Sequence, residues 1–205
     1  MYIMFGSKNI FKQGFTLLEV LIAVGILSIV ILTVSIFAFD VFRSELFISE
    51  NLEAEEQIQQ IFKIIAPEIR SMAISNNGSY PLAAVSSSSL SFYSDIDLDG
   101  LSERVRYFLE GTVLKKGVIK PAINPVVYDP ASEKISETVK NVISNNIFSY
   151  YDSNYDGSQP ALDYPIDISV IRSVGIKLTV DKNIAMAPIP VVLTTFINIR
   201  NLRGK

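Results

Sequence analysis

The sequence contains no cysteine and no histidine in 205 residues. The first absence excludes a disulfide framework, a thiolate nucleophile and a Cys/His zinc site; the second excludes a Ser-His-Asp triad. Positive charge is also scarce: 18 Lys and Arg stand against 21 Asp and Glu, giving a net charge of −3 and a pI near 5.1. Phosphate binding needs clustered Lys and Arg, so nucleic acid is not an expected partner. Arg200, Arg203 and Lys205 make only a short basic tail, read as a solvated strand end. No two carboxylates stand out by context as a glycosidase pair, and no repeat is long enough for a solenoid. No catalytic residues are expected. A cysteine-free composition is compatible with an extracytoplasmic setting.

What is abundant is apolar: 49% of residues are hydrophobic and the mean hydropathy is +0.33. These residues are bunched. The run Phe15–Phe39 (FTLLEVLIAVGILSIVILTVSIFAF) carries one charge, Glu19. As a helix it reaches about 37 Å, more than the roughly 30 Å hydrocarbon core of a bilayer. Beyond it lie roughly 165 soluble-looking residues, enough for one core. Lys8 and Lys12 precede the run without any acid, and acid-rich sequence follows. That asymmetry places the N-terminus in the cytoplasm and the remainder outside. No A-x-A cleavage site follows Phe39, so the run does not read as an ordinary secretory signal. A plain signal anchor is one explanation. Against it, a carboxylate inside a span costs at least ~2.5–3.5 kcal/mol by insertion scales, softened near the membrane face, and such a group usually has a partner. Gly25 inside the run reads as a small residue for close helix packing.

Beyond Asp40 the pattern stays helical to about Ser75. Ile58, Phe62, Ile65, Ile69 and Met72 repeat at 4-3-4-3 spacing and form a stripe suited to cover a sheet; a coiled-coil partner is the alternative. Pro67 should kink this helix or begin a new turn, and Asn76-Asn77-Gly78-Ser79 should stop it. The period then becomes strand-like at Leu90–Ser94, Arg104–Leu109, Thr112–Lys116, Asn146–Tyr151, Ser173–Val180 and Val191–Ile199. Glu110-Gly111 marks a hairpin, Pro121, Pro125 and Pro130 a loop, and Ser132–Val142 a short helix. A long N-terminal helix followed by strands is an α+β plan, with the helix laid on an antiparallel sheet.

Two acidic loops interrupt the strands. Asp95-Ile-Asp97-Leu-Asp99-Gly100 has the D-x-D-x-D-G opening of a calcium loop, in which alternate carboxylates converge on one hard cation. The closing Glu expected at position twelve is replaced by Arg106; Glu103 lies three places earlier. Asp95, Asp97, Asp99 and Glu103 are thus candidate calcium ligands, and calcium is the one cofactor the sequence raises; a plain acidic turn is the alternative. Asp152-Ser-Asn154-Tyr-Asp156-Gly157 repeats the opening, with Asp163 at position twelve. Tyr150, Tyr151, Tyr155 and Tyr164 could form a sugar platform or pack beside the strands.

Lys12-Gln13-Gly14-Phe15-Thr16-Leu17-Leu18-Glu19-Val20 resembles the class III leader of type IV prepilins and pseudopilins. The likeness covers the basic leader, the Gly before the junction, the Phe after it and the Glu at the fifth mature position. It implies a pilin-like fold, cleavage after Gly14 by a membrane peptidase, and N-methylation of Phe15. A side chain as small as that of Gly14 lets an extended peptide enter a tight protease site. Glu19, one turn on, would neutralise the new amine in its own chain or a neighbour, acting as an assembly-register residue. The head segment from Phe92 to Gly100, then Glu103-Arg104-Val105-Arg106-Tyr107, and the ending Ile199-Arg200-Asn201-Leu202 resemble minor pilins of the J/W type. Retention of Glu19 implies a place below the extreme tip of a fibre.

The resulting organisation is a leader at 1–14, a transmembrane helix half at 15–39, an exported amphipathic half at 40–75 and a β-rich head at 76–205. The implied role is a structural subunit of a type IV pilus-like or type II secretion fibre. Its partners would be other pilins or pseudopilins, the prepilin peptidase, an inner-membrane assembly platform and membrane lipid. The alternative is an uncleaved, membrane-anchored binding or enzymatic domain.

Overall fold

A computed structural model of the chain describes residues 14–181 and 190–202. Lys8, Lys12, Arg203, Lys205 and all of the leader except Gly14 lie outside them. The chain divides into two compact units, Met1–Ile48 and Ser49–Lys205.

The first helix, α1, runs Leu17–Arg70. Its segment Leu17–Glu45 is long and apolar enough to cross a membrane, and none of its most apolar stretch is buried by protein. Leu17, Leu21, Ile29 and Phe39 are all more than 60% exposed. Hydroxyls within this stretch turn back on their own helix: Ser28 Oγ donates to the Val24 carbonyl at 2.8 Å and Ser35 Oγ to Ile31 at 2.8 Å. Such back-bonding satisfies polar groups that lipid cannot.

In the second unit the α1 face from Ala54 onward is buried. Ile58, Ile61, Ile65 and Ile69, with Met72 just past the helix, are at most 4% exposed. Ile61 takes the buried position expected for Phe62, which is only partly covered. Pro67 does not end the helix, but α1 stops at Arg70, five residues before Ser75. Asn76-Asn77-Gly78 forms a separate turn beyond it, closed by Gly78 N–H on the Ser75 carbonyl at 2.9 Å.

Among the described residues eight strands follow, in two antiparallel sheets. The first sheet holds β1 (Leu82–Val85), β2 (Ser89–Ser94), β3 (Glu103–Glu110), β4 (Val113–Ile119) and β5 (Lys134–Val139), in that order. The second holds β6 (Phe148–Tyr151), β7 (Ser173–Val180) and β8 (Val191–Asn198). The segment read as a short helix, Ser132–Val142, is corrected: it contains β5, pairing with β4 from Val118↔Lys134 to Leu114↔Val139. Backbone pairing to an available sheet edge outweighs local helix preference. β3 and β4 join through Gly111, whose φ of +61° is the left-handed geometry a tight hairpin requires.

One apolar cluster joins the three surfaces: the Ile stripe of α1, the first sheet through Leu90, Phe92, Val105 and Tyr107, and the second through Tyr150, Val174, Ile176 and Ile197. The sheets are tied by backbone as well, since Ile147 and Phe148 N–H both donate to the Ser87 carbonyl. The architecture is α+β.

Candidate functional site

At the leader junction, Gly14 has open space around it and Phe15 is 81% exposed. Thr16 precedes the first helical residue, Leu17. Glu19 N–H donates to Thr16 Oγ1 at 3.3 Å, and Thr16 N–H donates to Glu19 Oε2 at 3.4 Å. Both bonds are long, yet together they make a reciprocal capping box that serves two orphan amides of the helix start. The Thr-x-x-Glu spacing is a signal the sequence carries in addition to the charge of Glu19. The acidic residue also lies in the first turn, favourable to the helix dipole. Glu19 is therefore held at the surface of the helix start, one turn from Phe15.

The second site is the loop between β2 and β3. Carboxylate oxygens of Asp95, Asp97 and Asp99 all lie within 4.8 Å of one another. Asp95 shapes the loop: Oδ1 accepts from Asp99 N–H at 3.2 Å and Oδ2 from Gly100 N–H at 3.0 Å. Leu98 and Gly100 adopt positive φ, +61° and +89°, to complete the bend. Glu103, the first residue of β3, is fully buried. Its Oε2 accepts from Ile96 N–H at 3.0 Å. Lys120, directly after β4, reaches over the loop and ion-pairs with Asp97, with Asp99 Oδ2 3.5 Å away and Glu103 Oε1 3.9 Å away. The Lys120 hydrogen bond holds the Asp97 carboxyl below its usual range, and the same contact raises Lys120. Burial raises Glu103, helped by the nearby charges of Asp97 and Asp99. The structure thus clusters Asp95, Asp97 and Asp99, sets Glu103 next to them across the Lys120 ammonium rather than within the cluster, and adds Lys120. The pairing Arg104↔Ile119 places Lys120 beside Glu103, a long-range neighbour that no local spacing reveals.

The second acidic loop behaves differently. Asp152 accepts from Asn154 N–H at 2.9 Å, while Asp156 accepts from Ser158 N–H at 2.9 Å and Ser158 Oγ at 2.6 Å. Among the described residues Asp152, Asp156 and Asp163 form no shared cluster. The tyrosines divide as well. Tyr150 is fully buried, its hydroxyl donating to the Ser86 carbonyl at 2.9 Å. Tyr151 and Tyr155 gather with Phe196, ring centroids 4.0–5.9 Å apart. They pack beside β6 and β8 rather than forming a row with Tyr150.

A family model, the prokaryotic N-terminal methylation motif, matches residues 11–35. No curated protein matches the chain. The matched residues span the end of the basic leader, the Gly14-Phe15 junction, the Thr16–Glu19 cap and most of the apolar run, as far as Ser35. The N-terminal segment thus carries the class III leader of type IV prepilins and pseudopilins, and it leads into a helix long and apolar enough to cross a membrane.

Proposed function

We propose that the protein is a minor pilin or pseudopilin, cleaved after Gly14, methylated at Phe15 and packed into a type IV pilus-like or type II secretion fibre. The observation that carries this reading is the methylation motif at 11–35, which runs into the Leu17–Glu45 part of α1, whose most apolar stretch is bare of protein cover. Such a surface is suited first to lipid and then to the matching helices of neighbouring subunits. The N-terminus stays in the cytoplasm and the head is exported, in line with the positive leader and acidic remainder. The partners are other pilins or pseudopilins, the prepilin peptidase and an inner-membrane assembly platform. The head's likeness to J/W-type minor pilins and the retention of Glu19 support a low-copy subunit below the tip.

In this reading chemistry is done to the chain rather than by it. Cleavage creates an amine on Phe15, still cationic when methylated. The amide of the next residue, Thr16, already reaches Glu19 Oε2, so the same carboxylate is within a turn of that amine. In a low-dielectric bundle the charged pair is far less costly than either charge alone. Replacing Gly14 by leucine tests the junction: in cells with the peptidase, wild type should convert to a shorter form while Gly14→Leu persists as precursor. Equal processing of both would oppose cleavage at this bond. Absence of any shorter form of wild type would favour an uncleaved anchored domain.

A further inference from the structure

The β2–β3 loop gathers more negative charge than its surroundings neutralise, and a buried oxygen beside it receives no hydrogen bond. Glu103 is 0% exposed. Its Oε2 is bonded to Ile96 N–H, but Oε1, equally buried, receives no hydrogen bond among the described residues. Leaving a buried carboxylate oxygen unmet is costly, and such an atom calls for a function. Oε1 faces the point where Lys120 Nζ stands, 3.9 Å away, the same point served by Asp97 and by Asp99 Oδ2. A single ammonium therefore occupies the focus of the cluster. Lysine is a compact point charge on a flexible stem, and this side chain is 59% exposed, so it can withdraw into water without disturbing β4.

We propose that this loop is a calcium site for which Lys120 is a tethered competitor. The ammonium holds the carboxylates together in the cation-free chain and yields its place when calcium enters. Calcium suits the donors: it accepts six to eight oxygens in flexible geometry, whereas magnesium demands near-ideal octahedral geometry and keeps its waters. The buried ligand is Glu103 at the ninth loop position. The twelfth, Arg106, is committed elsewhere, in a two-pronged pair with Glu133 at 2.6 and 2.9 Å. The site is independent of the leader and of any role in a fibre.

The test is calorimetric titration of the full-length chain in detergent with calcium chloride, alongside its melting temperature. Wild type should bind calcium saturably and melt higher with it, and magnesium should bind more weakly. Charge count sets affinity in such loops, so Lys120→Gln should tighten calcium binding about tenfold, and Glu103→Gln should weaken it about tenfold or more. If Glu103→Gln does not fold, Asp97→Asn, altered at an exposed carboxylate, should show a comparable loss. Failure of both wild type and Lys120→Gln to bind at millimolar calcium would overturn the site. Equal affinity of wild type and Lys120→Gln would overturn the competitor. Unchanged affinity in a folded Glu103→Gln, or in Asp97→Asn, would overturn the ligand assignment.

Discussion

Tyr107 Oη donates a 2.7 Å hydrogen bond to Glu68 Oε2, joining the centre of β3 to the last turn of α1. Lys116 on β4 ion-pairs with the other Glu68 oxygen, and its ammonium lies 5.6 Å from the Tyr107 ring. Both charged side chains are under 15% exposed. A polar clamp thus sits at the edge of the apolar stripe and fixes the rotation of the helix on the sheet. Lys116→Met should destabilise the 49–205 unit by about 3 kcal/mol, because it strands a largely buried carboxylate. Tyr107→Phe should cost about 1.5–3 kcal/mol through the lost charge-assisted bond. Urea denaturation measures both; a loss under about 0.5 kcal/mol in each, within the range of ordinary surface substitutions, would show that the clamp contributes little.

The two most deeply buried tyrosines, Tyr107 and Tyr150, make alkaline pH informative. Burial raises Tyr107, further raised by the charge of Glu68 and the bond to it, and burial likewise raises Tyr150. A free tyrosine ionises near about pH 10. For a group raised on folding, the stabilisation is complete below the unfolded value and is lost as pH rises towards the folded one. Phenolate absorbance of the 49–205 unit should therefore rise in two steps, exposed tyrosines first and these two only as the protein unfolds. Tyr150→Phe should shrink the second step alone. A single smooth titration of all tyrosines would contradict their burial.

Gly117 on β4 is a packing requirement. It faces Arg106 across the ladder, and a Cβ there would lie 2.7 Å from Glu133 Cδ, inside the carboxylate that Arg106 grips. Gly117→Ala should displace Glu133 and cost about 1–2 kcal/mol, in the range of overpacked sites. In Glu133→Ala the same substitution should be nearly neutral. A cost unchanged between the two backgrounds would place the strain elsewhere.

Glu19→Ala separates insertion from assembly. The span loses a charge, so insertion should be unhindered, and Gly14 and Phe15 remain for cleavage. The helix start loses its capping box, worth about 1 kcal/mol, and the mature amine loses its counter-charge. The variant should be processed and stable in the membrane yet fail to cross-link with partner subunits. Incorporation at the wild-type level would show that the carboxylate has no register role.

The elements that sequence made legible are those with strong periodicity: the apolar span, the Ile stripe, and strands such as β7, which matches the expected Ser173–Val180. Failures fall where neighbours decide. β5 has a largely exposed, polar pattern and becomes a strand by pairing with β4. β1 is only four residues long and framed by Pro81 and a serine run, too short a pattern to read as a strand from sequence. Within the acidic loop the carboxylates could be read from their spacing. Lys120 could not, because the β3–β4 register brings it there.

The fate of the bond between Gly14 and Phe15 decides whether the protein is a processed pilin-like subunit. Mass spectrometry of the protein extracted from membranes of cells carrying the prepilin peptidase reads it directly. A processed subunit should yield a chain beginning at N-methylated Phe15. A chain still beginning at Met1 in those cells would contradict it.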